Sequence, residues 1–450
     1  MSDLNIQNQK ILKENNLPST FCVLGWLHTH IDFANKSNVC LFSCCKALGN
    51  KKNSLIEVEN FEDLNESFNS EEYSTFRGQL LSGNPSQTPP ACQRHCFNLE
   101  KKGYTSYRQR HNVQDLHLLD TANFLNLKKQ KIIYLRLSIY DACNFKCRSC
   151  SPSLSTSINQ EYIRHQDIYP SIKKSLQEAN SSNITLKNLN ISSNDQNDLI
   201  IKMIKNENFY KNLKILQITG GEPFLSPKTW DLLNFFIERK KTDIKFYFNT
   251  NCSKITYKGI SLLEIFKNFN PNNIVMLCSV DEIGPRAEII RSGTKWTEVE
   301  SNLILLSNSV YKPYICITVS AMNVERLPEI IEYFSEKKII NLEEPFIRFF
   351  IDTVAYPTWL SFNSIPPPLI FKIENKLNNY INSYSSNQTI YNNLKSCLNN
   401  VISNLKSSSF NLENLKDFKK ETLMYDDIRK QNTLKTIPEL IPFFEYEHPI

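Results

Sequence analysis

Short apolar runs and amphipathic segments alternate most regularly in the middle of this chain. Short apolar runs recur at residues 132–138, 213–219, 244–249, 273–279, 314–320 and 347–353. They are rich in Ile, Val, Phe and Tyr and nearly continuous, as strands buried on both faces are. Between them, residues 227–239, 257–268, 294–306 and 324–337 carry helical spacing, with Pro227 suited to a first helical turn. Strand and helix in repeated alternation predict a parallel sheet with helical crossovers. Six strands point to an open, partial barrel, with a closed eight-stranded barrel as the alternative, and in both the ligands gather at the C-terminal edge of the strands. Before this zone, Phe21 onward alternates like a strand, turns near residues 34–37 and returns from Asn38, a hairpin pattern. After it, the Pro366-Pro-Pro368 run marks a break, and helices are expected from Leu369 onward.

Length and composition bound the rest. A chain of 450 residues with 41% hydrophobic residues holds two or three domains and a sizeable core. The 52 basic residues are spread among 46 acidic ones, and no basic block speaks for nucleic acid. The start, MSDLNIQNQK, has no apolar core, and no run of 18 apolar residues follows. Neither a signal peptide nor a membrane span is expected, which makes the protein cytoplasmic, where thiols stay reduced. Thirteen cysteines, an odd number in short-spaced groups, then favour metal or cluster ligation over disulfides.

One group follows the first of the six strands: Cys143-Asn-Phe-Lys-Cys147-Arg-Ser-Cys150. Three thiolates in this spacing can wrap one face of a cubane and leave its fourth iron without a protein ligand. A structural zinc site is the alternative, although zinc usually takes four ligands in paired spacings. The second strand ends in Gly220-Gly221-Glu222-Pro223, two adjacent glycines in a chain that has only 10. Paired glycines admit positive φ and a close approach of backbone.

These two motifs, in this order, resemble the radical S-adenosylmethionine (SAM) family over residues 130–355. The resemblance implies an α/β fold with a partial (β/α)6 barrel core. It implies a [4Fe–4S] cluster on Cys143, Cys147 and Cys150, and SAM held by Gly220, Gly221, Glu222 and Pro223 on its amino-group side. It further implies polar contacts from Asn249, from Ser279 and Asp281 near the ribose, and from residues 320–323 near the adenine, with Arg291 on the SAM carboxylate. Ser149 stands where the family often has an aromatic residue.

The N-terminal cysteines resemble the shortened auxiliary-cluster module called twitch, a relative of the SPASM domain, here placed before the core. Cys22, Cys40, Cys92 and Cys96 match its ligands, with Cys44 and Cys45 competing for the place of Cys40. Four thiolates suit zinc as well as a second cluster. His28 and His30 are read as hairpin side chains, and Cys252, Cys278, Cys316 and Cys397, which stand at no ligand spacing, as small buried apolar residues or incidental thiols. The expected organisation is a polar segment over 1–19, the auxiliary module over 20–125, the radical SAM core over 126–358 and a helical extension over 359–450. The implied activity is reductive SAM cleavage followed by hydrogen abstraction from a peptide, with flavodoxin or ferredoxin as reductant. An aminocyclitol-type dehydrogenase and a non-catalytic metal protein are the alternatives.

Overall fold

Each of the six apolar runs forms a strand in the computed structural model, which describes residues 3–35, 38–44, 56–58, 64–103, 105–120, 124–139, 142–152, 155–181, 193–342, 347–354, 356–383 and 388–447. In chain order the strands are β1 (His28–Asn35), β2 (Asn38–Phe42), β3 (Ile56–Val58), β4 (Tyr134–Ile139), β5 (Lys146–Cys147), β6 (Ile215–Gly220), β7 (Lys245–Thr250), β8 (Thr256–Tyr257), β9 (Ile260–Ser261), β10 (Ile274–Ser279), β11 (Arg291–Ser292), β12 (Tyr314–Val319) and β13 (Phe349–Thr353). The chain divides into two units: Met1–Ile139 with Asn180–Gly220 and Lys228–Tyr247, and Tyr140–Ala179 with Gly221–Pro227 and Phe248–Ile450. The division falls within β7.

In the first unit β4 and β6 run parallel from Tyr134↔Ile215 to Ile139↔Gly220. β1 runs parallel to β4 on its other side, from His28↔Tyr134 to Ile31↔Leu137, and β2 and β3 follow it antiparallel. The N-terminal segment thus adds strands beside the first predicted one. The strand expected from Phe21 onward begins only at His28. Leu24–Leu27 is a helical turn, because Phe21, Val23, Leu24, Trp26 and Leu27 are all buried and no face is left for solvent. A strand paired on one side needs alternation that this run lacks. Two buried polar side chains fix the segment. Arg77 donates to the carbonyls of Gly25, Leu127 and Phe68 at 2.8, 2.6 and 2.8 Å. Asn112 accepts from the N–H of Val23 and donates to the carbonyl of Phe21.

In the second unit β10, β12 and β13 run parallel, with Cys278↔Ile315 and Ile317↔Ile351 in register. The helices Trp296–Ser307 and Leu327–Glu336 lie where the spacing predicts them, as does Pro227–Glu238, which belongs to the first unit from Lys228 onward. The helix expected over 257–268 is shorter. Lys258 and Gly259 take positive φ, 48° and 81°, and turn the chain between β8 and β9. Two such residues in succession make the tight turn that matches strand twist. Only Leu262–Phe266 is helical, capped by the Ser261 hydroxyl. The chain ends in helices Pro367–Ser383, Gln388–Ser407 and Leu412–Arg429, as expected. Among the described residues no helix is long and apolar enough to cross a membrane.

Candidate functional site

The cysteine loop is built onto the second unit by backbone. Cys147 in β5 pairs antiparallel with Arg291 in β11, and Lys146 with Ser292. The N–H of Arg148 donates to the carbonyl of Ile290 at 2.9 Å. Glycines set how closely the flanking chain lies. Gly221 has no Cβ, and one placed there would sit 2.2 Å from the Ala142 carbonyl oxygen and 3.4 Å from Cβ of Cys143. Gly220 has φ of 119°, and a Cβ there would lie 2.1 Å from the Ile139 carbonyl oxygen. Gly293, at φ 96°, gives the same freedom against Asn144.

Glu222 is buried, and its carboxylate is spent within the fold. Its oxygens accept from Thr250 Oγ1 at 2.7 Å, from the N–H of Asn251 at 2.6 Å and from the N–H of Phe224 at 3.3 Å. Burial still pushes its pKa up to about 7. The neighbouring Pro223 is buried at the start of a 3-10 turn. Asn251 reaches the loop, donating to Asn144 Oδ1 at 3.0 Å, and Asn144 donates to Ser253 Oγ at 2.9 Å. Asn249 and Ser279 are half-buried at the ends of β7 and β10.

Arg291 joins the thiols to the strand edge. Its Nη1 donates to Asp281 Oδ2 at 2.9 Å, and Asp281 also accepts from the N–H of Thr318. Burial opposes the Arg291 charge, but Cys147 and Asp281 outweigh it and raise its pKa. Its Nε is buried and has no hydrogen-bond partner among the described residues. Asn323 donates to the Asp281 carbonyl and accepts from the N–H of Ser320, which orders the turn over 320–323. A cavity of about 440 Å³ in this unit, with Trp296, Arg326, Tyr333 and Lys337 in its wall, contains none of the residues expected at the site.

The thiols of Cys143, Cys147 and Cys150 lie within electrostatic reach of one another and of Arg291. Burial raises all three, Cys147 to about 11 and Cys150 to about 12, and Arg291 opposes the rise at each. Among the described residues no three Cys, His, Asp or Glu side chains are already gathered at metal-gripping distance. The donor set nonetheless fits a cubane: three thiols on one loop, a half-buried cation beside them, and on that cation a buried Nε without a hydrogen-bond partner among the described residues.

In the first unit, Cys22, Cys92 and Cys96 converge. Burial pushes Cys22 up to about 12, and Cys96 adds to the rise. Cys92 is raised by burial and then by Cys22 and Cys96. A π-helical turn over Gln93–Phe97 carries Cys96, a distortion common at functional sites. Arg108 ties the group together: it donates to the carbonyls of Ser19 and Phe21 and pairs with Glu100 at 2.6 Å. Cys44 and Cys92 both pack on the core that contains Cys22. Cys40 lies on β2 opposite Asp32 and Glu57, and its side chain, like Cys45, lies outside the described residues.

His28 and His30 are side chains of the hairpin that β1 and β2 form, as expected, and both are buried at 1% exposure. His28 Nδ1 donates to the Ser43 carbonyl at 2.8 Å. Cys252 and Cys278 are fully buried, as small apolar residues would be, and lie within electrostatic reach of each other. Sequence reasoning missed Asn144, Arg148, Glu161 and Arg429 around the loop. Their only signal was position or charge, which solvated residues share.

No family model and no curated protein matches the chain. Solved structures resemble it weakly. The protein anSMEcpe with bound AdoMet is 16% identical over 56% of this chain, with a TM-score of 0.35. This chain spans 59% of that protein's length. SuiB of Streptococcus suis bound to S-adenosylmethionine is 15% identical over 80% of this chain and 69% of its own, with a TM-score of 0.33. SuiB bound to precursor peptide SuiA is 15% identical over 82% and 71%, with a TM-score of 0.34. Likeness at this level leaves the reading of the site to the chain's own residues.

Proposed function

We propose that this chain is a radical SAM enzyme whose [4Fe–4S] cluster is held by Cys143, Cys147 and Cys150. The observation that carries the reading is Arg291, half-buried and in β-bridge register with Cys147, whose buried Nε has no hydrogen-bond partner among the described residues, beside three thiols. Bound there, a cubane with one iron free of protein ligands supplies the electron that splits SAM into methionine and a 5′-deoxyadenosyl radical. The residues do the rest. Arg291 lowers the cost of the thiolates and offers Nε to a carboxylate. Gly220 and Gly221 leave room for close backbone contact. Glu222 holds the ends of the neighbouring strands in place and orients Asn251 against the loop. Asn249, Ser279 and Asp281 supply polar contacts along the strand ends, and Pro223 stiffens the turn.

In this reading the alternation over 126–358 is a partial (β/α)6 barrel, preceded by an auxiliary module over 20–125 and followed by a helical extension. Cys22, Cys92 and Cys96 hold a second [4Fe–4S] cluster. Packing on the core that contains Cys22 makes Cys44 the better fourth ligand, in place of Cys40. The substrate is a peptide, the reductant a flavodoxin or ferredoxin, and the compartment the cytoplasm.

The test is direct. Anaerobically reconstituted protein, given dithionite and SAM, should form methionine and 5′-deoxyadenosine, and Cys147→Ala should form neither. A reconstituted wild type that forms no 5′-deoxyadenosine sinks the assignment. Mass change in a peptide encoded beside this gene tests the substrate class separately.

A further inference from the structure

Arg148 stands between the second and third cysteines of the loop, and its side chain is fully buried. A buried guanidinium is costly unless it is paired and hydrogen-bonded. Its partners come from the far end of the chain. Nη2 donates to Asp426 Oδ1 at 3.0 Å and to Thr433 Oγ1 at 2.8 Å, and Nε donates to the Ile289 carbonyl at 3.2 Å. Nη1 has no hydrogen-bond partner among the described residues. Asp426 is itself fixed, accepting from the N–H of Thr433 at 2.7 Å just past the end of helix Leu412–Arg429.

The other neighbour of Cys147 is tied to the same helix. Lys146 Nζ meets Glu161 Oε2 at 2.5 Å, and Glu161 accepts from Arg429 Nη2 at 2.7 Å and Nε at 3.0 Å. The Tyr425 ring lies 4.2 Å from the Arg429 guanidinium and 5.5 Å from that of Arg148. Arg429 also favours the thiolate of Cys147. Two buried arginines side by side repel, and an apolar contact would anchor a helix more cheaply. Their charge has a use if an anionic group sits at the thiols.

We propose that helix Leu412–Arg429 is part of the cluster site. Arg148 and Arg429, held by Asp426 and Glu161, are positioning residues that fix the Cys147–Cys150 turn and raise the reduction potential of the cluster. The inference rests on the cluster assigned above. Charge and hydrogen bonding around the ligands are the levers by which a protein sets such a potential.

The experiment uses the full chain, reconstituted anaerobically, with iron loss to a chelator and midpoint potential as readouts. Arg148→Met should release iron about tenfold faster, the usual scale for losing an outer-shell partner, and its potential should fall. Arg148→Lys keeps the charge and loses the fork, so it should recover the potential but not the retention. Asp426→Asn is isosteric and removes a negative charge, so its potential should rise. It carries the test alone if Arg148→Met does not fold. Variants that match wild type in both potential and iron loss overturn this inference while leaving SAM cleavage intact. A wild type that takes up no iron on the loop overturns the proposed function, and this inference falls with it.

Discussion

Two groups of three thiols share one chemistry and sit beside differently engaged arginines. Cys22, Cys92 and Cys96 are raised by burial, Cys22 and Cys92 also by neighbouring thiols, and Arg108, paired with Glu100, opposes the rise at each. Cys143, Cys147 and Cys150 are raised by burial too, and Arg291, paired with Asp281, opposes the rise at each of them, as Arg429 does at Cys147. Both surroundings therefore favour neutral thiols, and a metal entering either group must expel the protons that burial holds there. The difference lies in the arginines: Arg108 spends Nε, Nη1 and Nη2 on Glu100 and on the carbonyls of Ser19 and Phe21, whereas Arg291 keeps Nε without a hydrogen-bond partner among the described residues.

The strongest way to break this comparison is to remove one group at a time. A Cys143/Cys147/Cys150 triple Ala variant should lose all SAM cleavage. It should keep about four irons and four sulfides per chain, the content of one cubane. A Cys92/Cys96 double Ala variant should keep the loop cluster and uncoupled SAM cleavage, while turnover of the true substrate falls. Iron and sulfide analysis with EPR reads both. If the triple variant holds zinc without iron, the N-terminal group is structural. If it holds no metal, the ligand set drawn from Cys22, Cys44, Cys92 and Cys96 is wrong.

Arg291 and Arg108 sharpen the contrast on a smaller scale. Arg291→Ala leaves Asp281, 2% exposed at its side chain, as an unpaired buried charge. Stability should drop by about 3–5 kcal/mol, the range for breaking a buried pair, and SAM affinity should weaken with it. Adding Asp281→Asn should restore part of the stability and none of the affinity, which a double-mutant cycle measures. Arg108→Ala breaks the comparably buried pair with Glu100. It should cost comparable stability and leave SAM binding as it was. Equal SAM affinity in both single variants would remove Arg291 from the SAM site.

Glu222 tests whether the Gly-Gly-Glu-Pro motif serves the fold. Glu222→Gln keeps one acceptor but turns an amide toward the N–H of Asn251 or the hydroxyl of Thr250. One buried donor goes unmet, at about 1–3 kcal/mol, and the urea midpoint should fall accordingly. An unchanged midpoint would mean that the carboxylate is held for a ligand and not for the strands.

The strands and the cysteine loop were legible because their signals are local. A continuous apolar run needs no partner to be recognised, and neither does three-cysteine spacing. The charged frame was not legible, because its members are far apart in sequence: Arg148 and Asp426 are 278 positions apart. Read singly, each looks like a solvated charge. The segment 21–27 misled for another reason. Its apolar residues are buried on every side, so periodicity could not separate strand from helical turn. The turn at Lys258-Gly259 was visible in the sequence and was overridden by the helical spacing around it.

Acid gives the gentlest test, because the two units should answer it with opposite signs. In the first unit burial holds His28 down to about 3, and His30 lies well below its ordinary value of 6.5. Both are neutral when folded, and both bind a proton once unfolded below pH 6.5. Stability there is complete above pH 6.5 and falls as pH drops, by about 1.4 kcal/mol per pH unit for each histidine. In the second unit burial raises Glu222 and Glu282 to about 7, above their ordinary 4.5. Folded, they take up protons first, so that unit gains stability as pH falls from 7 toward 4.5, at the same rate per group. For the whole chain the two effects offset, and a single unfolding midpoint should move little between pH 7 and 5. Hydrogen exchange resolves them, once corrected for intrinsic rate, because protection follows local as well as global opening. Amides of β1 and β4 should lose protection at pH 5, and those of β10 and β12 should hold or gain it. His28→Asn keeps a donor for Ser43 and removes one titrating group, so it should halve the loss in β1 and β4 while leaving β10 and β12 alone. A uniform change across both sets of strands would mean that the buried histidines and glutamates do not separate the two units.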